Sequence, residues 1–494
     1  MSRSSFKTGD ERTSGATASS SSSAVSNPAL LGKPAVAPKP GIEAASRRLR
    51  TLSEASTELR AGRVTAIQLF DECLAQIDKL EPKIHAWVSV DADGARRLAR
   101  ELDAEAAAGH YRGPLHGMPI GIKDIIDIAG LPTLAGSPLR AGHVAQADAP
   151  IVTRLRAAGA ILLGKTVTTE FASFDPPPTR NPWNFERTPA GSSSGSAASV
   201  ATGMCLAAIG SQTGGSIVRP AAYCGVAGIK PTYGRVSLAG IFPLAFHLDH
   251  PGPIARSVAD LALLLGVIAG FDPTDPLSSR QPVADYASEL TPGFVPRLGL
   301  LREYFLEKCT PEVRDATLAT IERLRKAGAE VREVPLPEGF ARVPELHHRI
   351  MAVEAAFIHR EKFPSQRAKF SPQISKLLDR GRSMPIFDYV EAIEHQKRYV
   401  RTVQRSLEGI EALVMPSTTT TAGGLDTTGD PAFNSCWSYA GLPSVTIPCA
   451  VCPDGMPTGL QLVGRSFGES SLLAAAAWCE RAIGFDRLPA CVTG

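Results

Sequence analysis

The chain has 494 residues, 44% of them apolar and 20% charged, with a formal net charge of +3. Those proportions belong to a folded globular protein, and a charge so near balance, with no basic stripe, excludes the electrostatic footprint of a nucleic-acid or acidic-membrane binder. The longest apolar run, Leu261 to Phe271, is too short to cross a bilayer, and the N-terminus has no apolar signal region.

Residues 1–48 are rich in Ser, Ala, Thr and Pro, with an unbroken serine run from Ser19 to Ser23. Such a stretch buries too little apolar surface to fold, so a disordered tail is expected. Order is expected from Leu49. Thr65 and Gln68 frame a capping box, and Ile67, Phe70, Leu74 and Ile77 then recur at helical spacing up to Pro82. A second helix is predicted over Ala95 to Ala108. From Gly117 to Asp124 the chain alternates like a strand, with Ile120 and Ile122 on one face and Gly121 and Lys123 on the other. A helix begins near Pro150 and stops at Gly159, and Ala160 to Gly164 reads as a short buried strand.

Two loops of Ser and Gly follow, in the stretch 191–219. The first carries Ser192, Ser193 and Ser194; the second carries Thr213, Gly214, Gly215 and Ser216. Ala197 to Met204 between them reads as a helix of small residues, and Leu206 to Ile209 as a buried strand. Pro220 suits the first turn of another helix. Two such loops, offering hydroxyls and free N–H groups, suit a nucleophile beside an anion-stabilising nest. Farther on, 297–334 alternates strand and helix, and 347–407 is helical in pattern. Glu411 to Pro416, Ser444 to Pro448 and Gly459 to Gly464 read as late strands. Alternation throughout argues for the α/β class.

Nine cysteines are scattered along the chain, and only Cys449 and Cys452 are close. No second pair stands at metal-ligand spacing, and this CAVC follows a strand rather than opening a helix. Buried thiols are therefore expected, not a metal or redox centre. An odd count without a signal region fits a reducing compartment, so a cytoplasmic location is expected.

Two local patterns mislead. Gly159 to Thr166 matches GxxxxGK[ST], but its four intervening residues are the apolar strand, whereas a phosphate loop must be a loop. Gly191 to Gly195 matches GxSxG, but an irregular stretch with Pro182 and Pro189 precedes it where a nucleophile elbow needs a strand.

A larger pattern is more specific. GIKD at 121–124, GSSSGSAASVA at 191–201 and QTGGSIVRPAAYCGVAGIKPTYGRVS at 212–237 resemble the amidase signature family. So do LDHPGPIARSVAD at 248–260, GDPAFN at 429–434, GLPSVTIP at 441–448 and GMPTGLQLVG at 455–464. The resemblance is weakest between about 300 and 410. It implies a large mixed sheet covered by helices on both sides, with residues 49–494 as one amidase domain. It also implies hydrolysis of a small carboxylic amide by a Ser–Ser–Lys triad through an acyl-enzyme. By position, Lys123 is the base, Ser192 the bridging serine and Ser216 the nucleophile. The backbone N–H groups from Thr213 to Ser216 form the oxyanion hole, and the peptide before Ser192 is cis. No metal or cofactor is implied, and a homodimer is. The chemistry is self-consistent. A serine hydroxyl needs a positioned base, a lysine serves once burial lowers its pKa, and Ser192 both donates and accepts.

Ser193 and Arg219 are the candidate substrate-binding residues, Ser193 alternatively as a loop support. The SxxR spacing from Ser216 to Arg219 resembles the malonamidase branch, where this arginine holds a substrate carboxylate. A structural pairing of Arg219 with Asp249 is the alternative. Ser194 and Ala190 stand where the family often has Gly, and Gln212 where many members have Asp. A glutaminase-like subunit of a tRNA-dependent amidotransferase shares these motifs, and a scaffold without activity is the non-enzymatic alternative.

Overall fold

The computed structural model describes residues 49–290 and 293–493. The tail expected over 1–48 lies outside them. Among the described residues eleven strands form: β1 (Trp87–Val90), β2 (Pro119–Lys123), β3 (Ile161–Thr166), β4 (Ala207–Gln212), β5 (Ala227–Lys230), β6 (His250–Ala255), β7 (Arg297–Leu301), β8 (Glu330–Val334), β9 (Ala412–Pro416), β10 (Ser444–Val451) and β11 (Pro457–Val463). They make one sheet in the order β1-β3-β2-β4-β6-β5-β10-β11-β9-β7-β8. β2 runs parallel to β3 and β4, and β7 parallel to β8 and β9, while the remaining pairs are antiparallel. The sheet is therefore mixed.

Every residue of β2, β3, β4, β5 and β6 is buried. Both faces of this part of the sheet are covered, which is why the alternation seen in 117–124 does not separate a wet face from a dry one. Lys123 thus enters the interior on the last residue of a fully buried strand.

The Ala66–Ile84 helix starts at the expected capping box, where Thr65 and Gln68 exchange side-chain to backbone bonds. Its buried stripe is Leu69, Phe70, Cys73, Ile77 and Leu80, with Ile67 and Leu74 at the margin. Pro82 lies inside its last turn, not beyond its end. Ile84 is buried, and Glu81 accepts the N–H groups of Ala86 and Trp87 just beyond the end, so burial and a local cap hold the turn that contains the proline.

The small-residue helix runs over Ser194–Ala201, earlier than expected. Its start brings Gly195 against the Ala86 and Val167 backbone, where a Cβ would lie 2.1 Å from Ala86 O. Only glycine permits that approach. The helical stretch in the second half comprises Val343–Ile358, Phe363–Gln366, Pro372–Ser383 and Ile386–Ser406. Among the described residues no helix is long and apolar enough to cross a membrane. All nine cysteines are free; Cys449 and Cys452 are buried, and burial pushes their thiols up to about 12 and about 11.

Candidate active site

β2 and β4 are neighbours in the sheet, so the end of β2 meets the loops on either side of β4. Lys123 Nζ lies 2.7 Å from Ser192 Oγ, 2.7 Å from Ser211 Oγ and 3.5 Å from Ser211 O. All three contacts are neutral oxygens. Burial pushes the Lys123 amine well below its ordinary pKa, and the Asp249 charge only partly opposes this. Lys165, on the adjacent strand, is the instructive contrast. Its Nζ is 3.0 Å from Asp124 Oδ1, with both side chains fully buried, so it is a paired structural cation. That pairing also disposes of the phosphate-loop pattern at 159–166.

The peptide between Gly191 and Ser192 is cis. The first loop is tied on several sides: Thr169 N–H donates to Ser192 O, and Ser194 Oγ to Ala190 O at 2.8 Å. Ala190 sits at φ 65°, a left-handed conformation costing an alanine about 1–2 kcal/mol. Ser194 and Ala190, two of the three departures from the family pattern, are thus joined by this bond. Ser193 is fully buried; its Oγ donates to Ser211 O at 3.1 Å and accepts from Ser211 N–H at 3.2 Å. Its hydroxyl is thus engaged with β4 on both its donor and its acceptor side.

The second loop follows β4. Ser216 is 7% exposed, against 0% for Lys123 and 1% for Ser192, so it is the member of the three that solvent reaches. The loops meet through Ser193 N–H, which donates to Ser216 O at 3.3 Å. Lys123 and Ser192 are thus brought into hydrogen-bond contact, while Ser216 joins them through backbone; among the described residues no bond between the Ser192 and Ser216 hydroxyls is formed. Catalytic hydrogen bonds are often long before substrate binds. Gln212, at the position where many family members have Asp, ties the turn: its Oε1 accepts from Ile217 and Val218 N–H, and its Nε2 donates to Ser438 Oγ. Gly215 has no room for a side chain, since a Cβ would lie 2.6 Å from Asn434 Oδ1 and 3.1 Å from Arg219 Nη1.

Arg219 is 2% exposed, on the Val218–Cys224 helix. Its Nη2 donates to Gly191 O at 2.9 Å, and its Nε and Nη1 have no partner. Burial lowers its pKa to about 10. The pairing with Asp249 does not occur. That carboxylate accepts from Thr213 Oγ1 and from the Leu244 and Ala245 N–H groups, and burial raises its pKa to about 6. Sequence reasoning missed Ser211, His347, Asn434 and Ser438 as parts of the site. Their partners lie far away in the chain, so no local spacing signals them.

Comparison with known proteins places the chain in a family. The Amidase family model matches residues 68–473. A glutamyl-tRNA(Gln) amidotransferase component from Roseiflexus sp. (strain RS-1), one of the subunits of that enzyme, is 39% identical over 464 residues, covering 86% of this chain and 94% of that protein. Among solved structures, the native peptide amidase from Stenotrophomonas maltophilia has a TM-score of 0.80 at 32% identity, covering 90% of this chain and 99% of its own. A protein from a vestigial complex that bears on the evolutionary origins of an s-triazine catabolic enzyme has a TM-score of 0.84 at 32% identity, covering 89% of this chain and 100% of its own. A strand-borne buried lysine, two Ser/Gly loops across β4 and the matching extent of the family model make one conclusion: the chain belongs to the amidase family.

Proposed function

We propose that the protein hydrolyses the C–N bond of a small carboxylic amide through an acyl-enzyme on Ser216. The observation that carries this reading is the 2.7 Å contact between Lys123 Nζ and Ser192 Oγ in a site where no acid pairs the lysine. A buried amine without a counter-ion favours its neutral form, and a neutral amine accepts a proton. Ser192 passes its proton to Lys123 and takes one from Ser216 as Ser216 Oγ attacks the carbonyl carbon. The carbonyl oxygen gains negative charge, and the loop N–H groups stabilise it. The relay then runs in reverse: Lys123 returns the proton through Ser192 to the leaving nitrogen, the C–N bond breaks, and ammonia or an amine departs. Water, deprotonated by the same relay, attacks the ester and restores Ser216.

Arg219 is the group assigned to a substrate carboxylate. Its unpaired Nε and Nη1 support this, because a guanidinium donating through only one nitrogen in a dry interior lacks its usual partners. A second reading is favoured by the relatives. The named function of the Roseiflexus protein is that of an amidotransferase component, so release of ammonia from glutamine for a partner is the alternative role. One experiment separates the two. The purified chain is assayed for ammonia release from propionamide, malonamate and glutamine, with Ser216→Ala as control. Turnover of malonamate without any partner supports the stand-alone amidase, and turnover of glutamine only on adding partner proteins supports the second reading. Wild-type activity in Ser216→Ala overturns both.

A further inference from the structure

Three successive carbonyls of the second loop are each held by a donor. Thr213 O accepts from His347 Nε2 at 3.0 Å, Gly214 O from Ser438 Oγ at 2.8 Å, and Gly215 O from Arg219 N–H at 2.9 Å. The peptides here are trans, and a trans peptide plane points its C=O and the following N–H in opposite directions. Pinning these carbonyls therefore aims the N–H groups of Gly214, Gly215 and Ser216 away from the pinning donors. Among the described residues those three N–H groups donate to no protein acceptor.

His347 comes from the Val343–Ile358 helix, in the stretch where the motifs are weakest. Its imidazole is buried, and its Cε1 lies 3.8 Å from where a Gly214 Cβ would stand. Burial lowers its pKa to about 4, so the ring is neutral at neutral pH. A neutral ring that donates to a carbonyl through Nε2 must carry its proton there. The same helix reaches the loop a second way. Glu354 accepts from His247 N–H and pairs with His247 Nδ1, which holds the segment whose Asp249 grips Thr213 Oγ1. Thr213 is thus braced at its carbonyl and at its hydroxyl by one helix. Ser438, on Ala432–Tyr439, accepts from Gln212 Nε2, which leaves its own proton to face Gly214 O.

We propose that His347 is a positioning residue for amide hydrolysis, fixing the Thr213–Gly214 peptide so that the Gly214 N–H meets the oxyanion formed at Ser216; this rests on the reading of Ser216 as nucleophile. The Gly214 N–H that this bond aims acts on the transition state more than on the ground state, so loss of the bond falls on kcat rather than KM.

The test compares His347→Phe, His347→Asn and His347→Gln with wild type and Ser216→Ala, on whichever of propionamide, malonamate and glutamine turns over fastest. Phenylalanine keeps a ring without a donor. Glutamine places a carboxamide N–H near the imidazole Nε2 position, and asparagine falls short of it. The expected result is a kcat lowered about 10- to 100-fold in His347→Phe and His347→Asn, with KM within about twofold, and a kcat within about fivefold of wild type in His347→Gln. If His347→Phe fails to fold, the asparagine and glutamine pair carries the comparison by itself. Wild-type kcat in the phenylalanine and asparagine variants, or a glutamine variant as impaired as they are, overturns the role of His347 while Ser216→Ala remains inactive. Activity in Ser216→Ala instead removes the nucleophile reading on which it stands.

Discussion

Replacing Gln212 with leucine removes one oxygen that serves two backbone donors. Oε1 accepts from Ile217 N–H at 2.9 Å and from Val218 N–H at 3.0 Å, and the residue is fully buried. Leucine leaves both N–H groups without an acceptor in a dry interior, at about 1–3 kcal/mol each, or about 2–6 kcal/mol together. A loss of that size is a large fraction of the stability of a typical domain, so the chain recovers part of it by opening the 212–218 turn. Ser216 lies inside that turn. Displacing one N–H from the oxyanion position lowers kcat by about 10²–10³-fold. Gln212→Glu separates the effects, because it keeps an oxygen for both N–H groups and exchanges only the Nε2 donor facing Ser438 Oγ for a second carboxyl oxygen, which burial favours in its protonated form. Ser438 already donates to Gly214 O and has no second proton to give. With the carboxyl neutral, at most one bond of about 0.5–1.5 kcal/mol is lost, roughly a 2- to 12-fold effect. Ammonia release gives kcat and KM, and the midpoint of urea unfolding reads stability. A leucine variant with wild-type kcat and midpoint would refute the reasoning, as would equal impairment of the two variants.

Ser216→Ala is expected to abolish hydrolysis, and mass spectrometry after a fluorophosphonate should find the adduct on Ser216; an adduct on Ser193 moves the nucleophile to the first loop. Lys123→Ala and Ser192→Ala should each lower kcat by about 10²–10⁴-fold, with a double variant little worse than either, because they act as one relay. Near-wild-type kinetics in Lys123→Ala contradict the mechanism. Because burial lowers the Lys123 pKa, the amine is the active base above that value, so kcat should rise with pH through it and fall on the acid side as Lys123 gains a proton. A pH–rate profile flat on the acid side points to a different base. Arg219→Lys keeps the charge and loses the two-pronged donor geometry, so KM for malonamate should rise about tenfold while propionamide changes little. Equal losses on both amides make Arg219 structural.

Much of this was legible along the chain. The capping box at Thr65 and Gln68, the strand ending at Lys123, the late strands and the order of the Ser/Gly motifs all depend on relations within a few residues. Side-chain period, cap chemistry and glycine's freedom act over that range. Helix limits were less legible where burial competes with propensity. Ile84 carries its helix past Pro82, and close backbone contact at Gly195 goes with an early start for the small-residue helix.

Partner choice among buried polar groups was not legible. Ser211 is 88 positions from Lys123, His347 is 134 from Thr213, and Ser438 is 224 from Gly214. Arg219 turns to Gly191 O, and Asp249, the alternative partner considered for it, turns to Thr213. These pairings follow from the strand order, which sets β4 between β2 and β6, and from helices that the long second half of the chain lays over the loops. A buried donor takes whatever acceptor the packing brings within about 3 Å. Local residue types can name the groups that need partners; only the packed arrangement of distant elements, which excludes water from them, chooses which partners they have.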